Sequence, residues 1–340
     1  VTSPLTPLPR LAPASRHLTG RAAGARLVRA AAPLLVMLLA TLLSGCGLRL
    51  GEGTPASLPQ PSAQESVRDA LARHTWLISS SAAVVARSGD RQAEAAQGVE
   101  TVAGSQLDAL GGVWEPWASE VPTRFPTISP AATAAATATS EDLAALLSEG
   151  AALAQEAAVS APSGQEAQLY ASLAASWSIQ HETVSPGSTT SVPRSSLDTP
   201  QQVSSDLLLA YDAARYACQE VAARAQAATR ERAAQDAGSA SAAVSAALAV
   251  GSEDTRLAAY ASPSQSPDAS AADTDVLWAQ TVWSDVVDHE AQEAASTQAG
   301  SPARQAAVEA TTDAALRAHA WGAQLSSLPG YLEPSESESS

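Results

Sequence analysis

Ser62-Ala-Gln-Glu-Ser-Val-Arg-Asp-Ala-Leu-Ala-Arg-His-Thr-Trp-Leu-Ile-Ser-Ser-Ser-Ala-Ala-Val-Val85 carries both a helix start signal and a helix period. Ser62 and Glu65 stand three apart, the spacing of a capping box, in which hydroxyl and carboxylate reciprocally satisfy free amides of the first turn. Val67, Leu71, His74, Ile78, Ser81 and Val85 then recur at intervals of 4, 3, 4, 3 and 4, the seam of an amphipathic helix. Gly89 closes it, and Asp90 is placed to cap a second helix running to Gly111-Gly112.

The same punctuation continues outward. A Pro-rich loop with Trp114-Glu-Pro-Trp117 precedes a third helix that starts near Ser140 with Leu143, Leu147, Gly150 and Leu153 on its seam. Ser163-Gly-Gln-Glu166 is a second capping box and opens a fourth helix. The order then recurs. Thr199-Pro-Gln-Gln202 combines an N-cap, Pro at the first helical position and a capping-box Gln; a second helix spans about Thr229 to Val250 and ends at Gly251. Another Pro/Ser loop leads to a helix near Asp273 and a last one at Ser301-Pro302.

The spacing predicts a duplication. Thr199 follows Ser62 by 137 residues, Ser301 follows Ser163 by 138, and Gly251 follows Gly112 by 139. No run alternates as a strand does. The expected fold is all-α: two tandem four-helix bundles over 62–182 and 199–327, a linker over 183–198 and an acidic, Ser-rich tail over 328–340, with a long crossover between the second and third helix of each bundle.

Upstream, Gly47 to Pro61 reads as a tether. Arg10, Arg16, Arg21, Arg26 and Arg29 precede an uncharged run from Ala30 to Leu43, the pattern of a secretory signal peptide over 1–45. That run is 14 residues long, shorter than the roughly 20 a spanning helix needs. Leu43-Ser44-Gly45-Cys46 resembles the bacterial lipobox, an aliphatic residue and two small ones before a Cys. The resemblance implies cleavage before Cys46, a diacylglycerol on its thiol, and a lipoprotein held at the outer face of the cell membrane by acyl chains such as palmitate. Two chains suffice for stable anchoring, at about 0.8 kcal/mol per buried methylene. With Cys46 acylated, Cys218 is left without a disulfide partner; it shares a helical stripe with Leu207, Tyr211, Ala214, Val221 and Ala225, where a buried, inert thiol is expected.

Composition removes whole chemistries. The chain has no Lys, which excludes a P-loop, a protein kinase and Schiff-base catalysis. A GC-rich coding sequence accounts for that gap and for the missing Asn, since both residues have A/T-rich codons. After Cys46 there are 14 Arg against 35 acids, so a nucleic-acid partner is not expected. Gly51 and Gly53 lie in the tether with no strand before them and are not a dinucleotide fingerprint.

Di-iron bundles need Glu-x-x-His on two helices, because residues three apart project side by side. The residues three before each His are Ala14, Leu71, Ser178, Val286 and Leu316, none of them acidic. His289-Glu290 opens like a zinc-protease motif, but Glu293 stands where the second His belongs. Asp285, His289 and Glu293 share a helix side that the seam Val276, Ala279, Trp283 and Val286 leaves toward water. His74 reads as a hydrogen-bonded core residue. Trp76, Trp177, Trp278, Trp283 and Trp321 fall on helices and are expected to give Ala-rich cores their bulk, whereas Trp114 and Trp117 either fold over a bundle end or meet a partner. No catalytic, cofactor-binding or metal-binding set is expected.

Gln106-Leu-Asp-Ala-Leu-Gly-Gly-Val-Trp-Glu-Pro116 and Leu209-Ala-Tyr-Asp-Ala-Ala-Arg-Tyr-Ala-Cys218 resemble segments of actinobacterial lipoproteins that carry the ferritin-like domain of unknown function 4439, best over 199–327 and more loosely over 62–182. The resemblance implies a ferritin-like four-helix fold and assigns no activity. In that family a Glu-His pair often stands where Tyr211-Asp212 stand here. Together these readings predict a membrane-anchored, non-catalytic binding or scaffolding module with an envelope protein as partner; the alternative is a metal-dependent ferritin-like redox enzyme.

Overall fold

Side chains at the helix starts set the architecture. A computed structural model describes residues 58–89, 91–117, 129–196, 200–264 and 269–333. The leader, Leu43, Ser44, Gly45, Cys46, Asp90 and Thr199 lie outside the described residues. Within them are eight helices and no strand, so the protein is all-α: α1 Ala63–Ser88, α2 Ala93–Ala109, α3 Ser140–Ser160, α4 Gly164–Val184, α5 Ser205–Arg224, α6 Ala227–Ala249, α7 Ala271–Ser296 and α8 Pro302–Ala320, with one 3-10 turn, Arg194–Ser196, between α4 and α5. Full capping boxes open α1 (Ser62, Glu65), α3 (Thr139, Asp142) and α7 (Ser270, Asp273). Ser301 caps α8 ahead of Pro302. Gly89 ends α1 with a φ of 75°, a left-handed turn that favours glycine.

Two starts differ from the expectation. Ser163 caps α4, but the Glu166 carboxylate does not return to the Ser163 amide; it takes Gln64 Nε2 at 2.6 Å and Arg68 at 3.3 Å from α1 instead. The helix expected to begin at Thr199 begins at Ser205, capped by Ser204. Gln202 is drawn off to donate to the Val250 carbonyl at 2.9 Å, tying this segment to the end of α6. The first-helix caps Ser62 and Ser204 are therefore 142 residues apart, less regular than the sequence spacing suggested.

The helices pair in chain order, α1 with α2, α3 with α4, α5 with α6 and α7 with α8; α1 also packs on α3 and α5 on α7. One core gathers Leu71, Ile78, Leu143, Leu147, Leu173 and Trp177; a second gathers Leu207, Cys218, Val244, Trp278, Trp283 and Val286. The seams of α1, α3, α5 and α7 are largely as read. The exceptions are Val67 and Leu153, which are exposed, and Trp76, which is 42% exposed and adds little to a core.

The two cores are joined through α4, which packs on α7 and α8 and is buried on nearly every side. Ala294, Ala307 and Val308 enter the first core, and Ala175 enters the second. Small residues permit the approach. A Cβ on Gly164 would lie 2.4 Å from the Ala295 carbonyl oxygen, and the Gly300 amide donates to the Val159 carbonyl at 2.8 Å. Buried Arg304 donates to the Ala161 carbonyl at 2.8 Å and to the Thr297 carbonyl, so one cation serves the C-terminal ends of α3 and α7, where the helix dipoles favour positive charge.

The chain past α8 is not a free tail from residue 328. Leu328 is buried in the first core, Ser327 and Gly330 accept hydrogen bonds from Gln106 and Gln168, and the Tyr331 hydroxyl accepts one from Gln165. Pro329 is buried as well.

Candidate functional site

The titratable groups that reach the interior lie mostly among α5 to α8. Each of these helices carries one buried carboxylate: Asp212 on α5, Asp236 on α6, Glu290 on α7 and Asp313 on α8. Glu290 is fully buried. It follows Trp283 and Val286 on the same seam at intervals of 3 and 4, so helical position forces it inward. Arg194, from the short turn between α4 and α5, meets it with Nε on Oε1 at 2.6 Å and Nη2 on Oε2, and the Tyr211 hydroxyl donates to Oε1 at 2.6 Å. Burial works against the guanidinium's charge, but Glu290 more than restores it and holds the Arg194 pKa above its usual value. Burial, reinforced by the Glu290 charge, raises the Tyr211 phenol, which therefore keeps its proton to donate.

Arg317 organises a second group. It donates to Asp313 through Nε at 2.7 Å and to Asp236 through Nη1 at 2.5 Å, and its guanidinium carbon lies 5.1 Å from the Trp283 ring centroid. Trp321 Nε1 donates to the other oxygen of Asp236 at 2.7 Å, and Ser191 Oγ donates to Asp313 at 2.7 Å. Asp212, the third centre, accepts from Arg215 at 2.7 Å and from the Tyr260 hydroxyl at 2.8 Å. Every one of the four carboxylates thus accepts at least two hydrogen bonds, one of them from an arginine. These contacts tie the carboxylates to neighbouring helices and loops inside the fold.

Cys218 is buried beside these groups. Burial, with the nearby Asp236 charge, pushes its thiol up to about 12, which suppresses the thiolate that reacts. Three described histidines have partners of their own: His74 Nε2 meets the Leu146 carbonyl at 2.8 Å with its ring edge-on to Trp177, His181 meets Thr189 at 2.9 Å, and His319 lies 3.5 Å from Thr183. Asp285 is exposed, and His289 and Glu293 are half-buried. Among the described residues no three His, Cys, Asp or Glu side chains converge as a metal would need. No described helix is long and apolar enough to cross a membrane.

The sequence reading missed the buried acids. Glu290 was recoverable from the period of its helix, but it was set aside with His289. Arg194 carried no signal, since it lies in a segment read as linker and its partner is 96 residues away. Trp114 and Trp117 are half-buried, with the Trp114 amide held by Asp69 at 2.9 Å. The chain matches no family model, no curated protein and no solved structure.

Proposed function

We propose that the protein is an extracytoplasmic lipoprotein, anchored through Cys46, whose helices form a non-catalytic binding or scaffolding module for an envelope partner. One observation carries the non-catalytic part: the four buried carboxylates are each held by an arginine and a further donor inside the fold. The anchoring part rests on Leu43-Ser44-Gly45-Cys46 and the leader before it. We read α1 to α4 and α5 to α8 as two tandem four-helix bundles of the ferritin-like lipoprotein kind; the matched pairing order of the helices and the two cores support this. Fractionation of cells carrying Cys46→Ala tests the anchor. The variant is expected to lose its acyl group and leave the membrane fraction, and a variant that stays acylated and membrane-bound overturns the reading.

The redox alternative has one observation in its favour, a buried acid on each of the four helices α5 to α8. It requires a metal to displace Arg194, Arg215 and Arg317 from those acids, at the cost of leaving the buried Arg194 guanidinium unpaired. Elemental analysis of the purified chain decides between the two. Two stoichiometric metals, lost on Glu290→Gln, promote the redox reading; metal below a stoichiometric level supports the binding module.

A further inference from the structure

His74 joins α1 to α3. Its Nε2 meets the Leu146 carbonyl at 2.8 Å, and a Cβ on Gly150 would lie 2.8 Å from the same ring. Beside that contact a groove of about 430 Å³ opens between the two helices, within the range of sites for small organic ligands. Its third wall is the segment 130–138, tied to α1 by the Ala134 amide, which donates to Ser80 Oγ at 2.9 Å. That wall offers the groove only alanine and threonine side chains, too short to fill it. Leu77 of α1 and Leu146 of α3 line the floor, and both keep part of their surface exposed.

The α3 side of the groove is a stripe. Asp142, Ala145, Leu146 and Glu149 follow one another at helical spacing, so an acid stands at each end with apolar residues between. Glu149 is seven residues past Asp142, about 10 Å along a helix axis. Both acids are exposed. The Thr139 amide and hydroxyl donate to Asp142 Oδ2 but bring it no positive charge, and Glu149 has no hydrogen bond or ion pair among the described residues. No arginine or histidine among the described residues lines the groove, and the chain has no lysine. We propose that this groove binds an elongated organic dication, a diammonium compound with an aliphatic middle, whose ends meet Asp142 and Glu149 while the middle lies on Leu77, Ala145 and Leu146. A single cation would leave one acid unmatched, and an uncharged ligand would leave both. The inference deepens the binding-module reading and rests on it, but the Cys46 experiment reads location and this one reads ligand, so the two fail separately.

The probe is 1,8-diaminooctane, compared with 8-aminooctan-1-ol, which carries one charge, and octane-1,8-diol, which carries none. Each is titrated against the full chain in deuterated non-ionic detergent at physiological ionic strength, where attraction to distant acids is screened. Binding is read by saturation-transfer NMR of the methylene protons. The diamine is expected to give a saturable signal and the lowest Kd of the three. Glu149→Gln is expected to weaken it about threefold, the scale of one exposed ion pair. Ala145→Arg sets a guanidinium three residues from Asp142 and four from Glu149, within reach of both, and is expected to abolish the saturable signal. Ala145 is an exposed helix position and arginine a good helix former, so folding is not at stake. Ala234→Arg, exposed on α6, adds the same charge elsewhere and is expected to change nothing. The proposal is overturned by the absence of a saturable signal, or by either analogue binding as tightly as the diamine. It is equally overturned if Glu149→Gln has no effect, if the signal survives Ala145→Arg, or if Ala234→Arg weakens binding as much as Ala145→Arg, which would mean general charge attraction.

Discussion

Replacing Arg194 by Met leaves the Glu290 carboxylate, 0% exposed, with the Tyr211 hydroxyl as its one remaining donor. Breaking a buried ion pair from one side costs about 3–5 kcal/mol, because the surviving charge keeps its desolvation penalty and loses its compensation. Glu290→Leu strands Arg194, 7% exposed, at a similar cost. The double variant strands neither charge. What it leaves is the Tyr211 hydroxyl without its acceptor, about 1–3 kcal/mol, so it is expected to be more stable than either single variant by roughly 2 kcal/mol. Adding Tyr211→Phe removes that residue of cost as well. Urea unfolding followed by far-UV circular dichroism, with extrapolation to water, measures each step. Acid supplies an internal control: burial already raises the Glu290 pKa, so in Arg194→Met the carboxyl takes up a proton more readily, and the deficit shrinks as pH falls. A single-variant loss below about 1 kcal/mol, or a double variant less stable than both singles, would refute the reasoning.

Cys218 is expected to resist a disulfide reagent in the native protein and to react fully once unfolded, because a rise from 9.0 to about 12 lowers the thiolate fraction near neutral pH about a thousandfold. The sign follows from linkage: with its folded pKa raised, the thiol's contribution to stability is complete below the unfolded value of 9.0 and is lost as pH climbs toward about 12, a loss that Cys218→Ala should not show. Fast labelling under native conditions would contradict the burial. Two glycines offer a matched pair: Gly164→Ala drives a methyl against the Ala295 carbonyl oxygen, expected to cost about 1–3 kcal/mol, whereas Gly104→Ala, in open space on α2, should stabilise by about 0.5–1 kcal/mol. Thermal melts of the two variants moving in the same direction would count against the packing described at the α3–α4 turn.

Helix starts were legible in the sequence where the signal is local. Ser62, Ser163 and Ser301 each bond to an amide three residues on, so a short window contains the whole interaction. Thr199-Pro-Gln-Gln202 shows the limit of such a window: the pattern is right for a cap, yet Gln202 finds its acceptor 48 residues away at Val250, and Ser204 takes the capping role. Arg194 is the extreme case. Nothing periodic surrounds it, and only the packing of α7 gives it meaning. In α8 the difficulty is one of contrast, since an Ala-rich helix buried on most sides presents no polar face to mark its orientation, so nothing in the sequence singles out Asp313 as buried.

The segment from Ser327 to Tyr331 bears on the order in which the chain can fold. Leu328 completes a core whose other members begin at Leu71, and Gln106 holds the Ser327 carbonyl across 221 residues. A ribosome makes the first core's helices long before it makes the residue that closes them. Until the last few described residues emerge, α2 and α4 wait with Gln106 and Gln168 lacking their carbonyl partners, so the first half to be synthesised is the last to be sealed. Contacts so distant in sequence raise the contact order of the first core, and its completion depends on Leu328 reaching it.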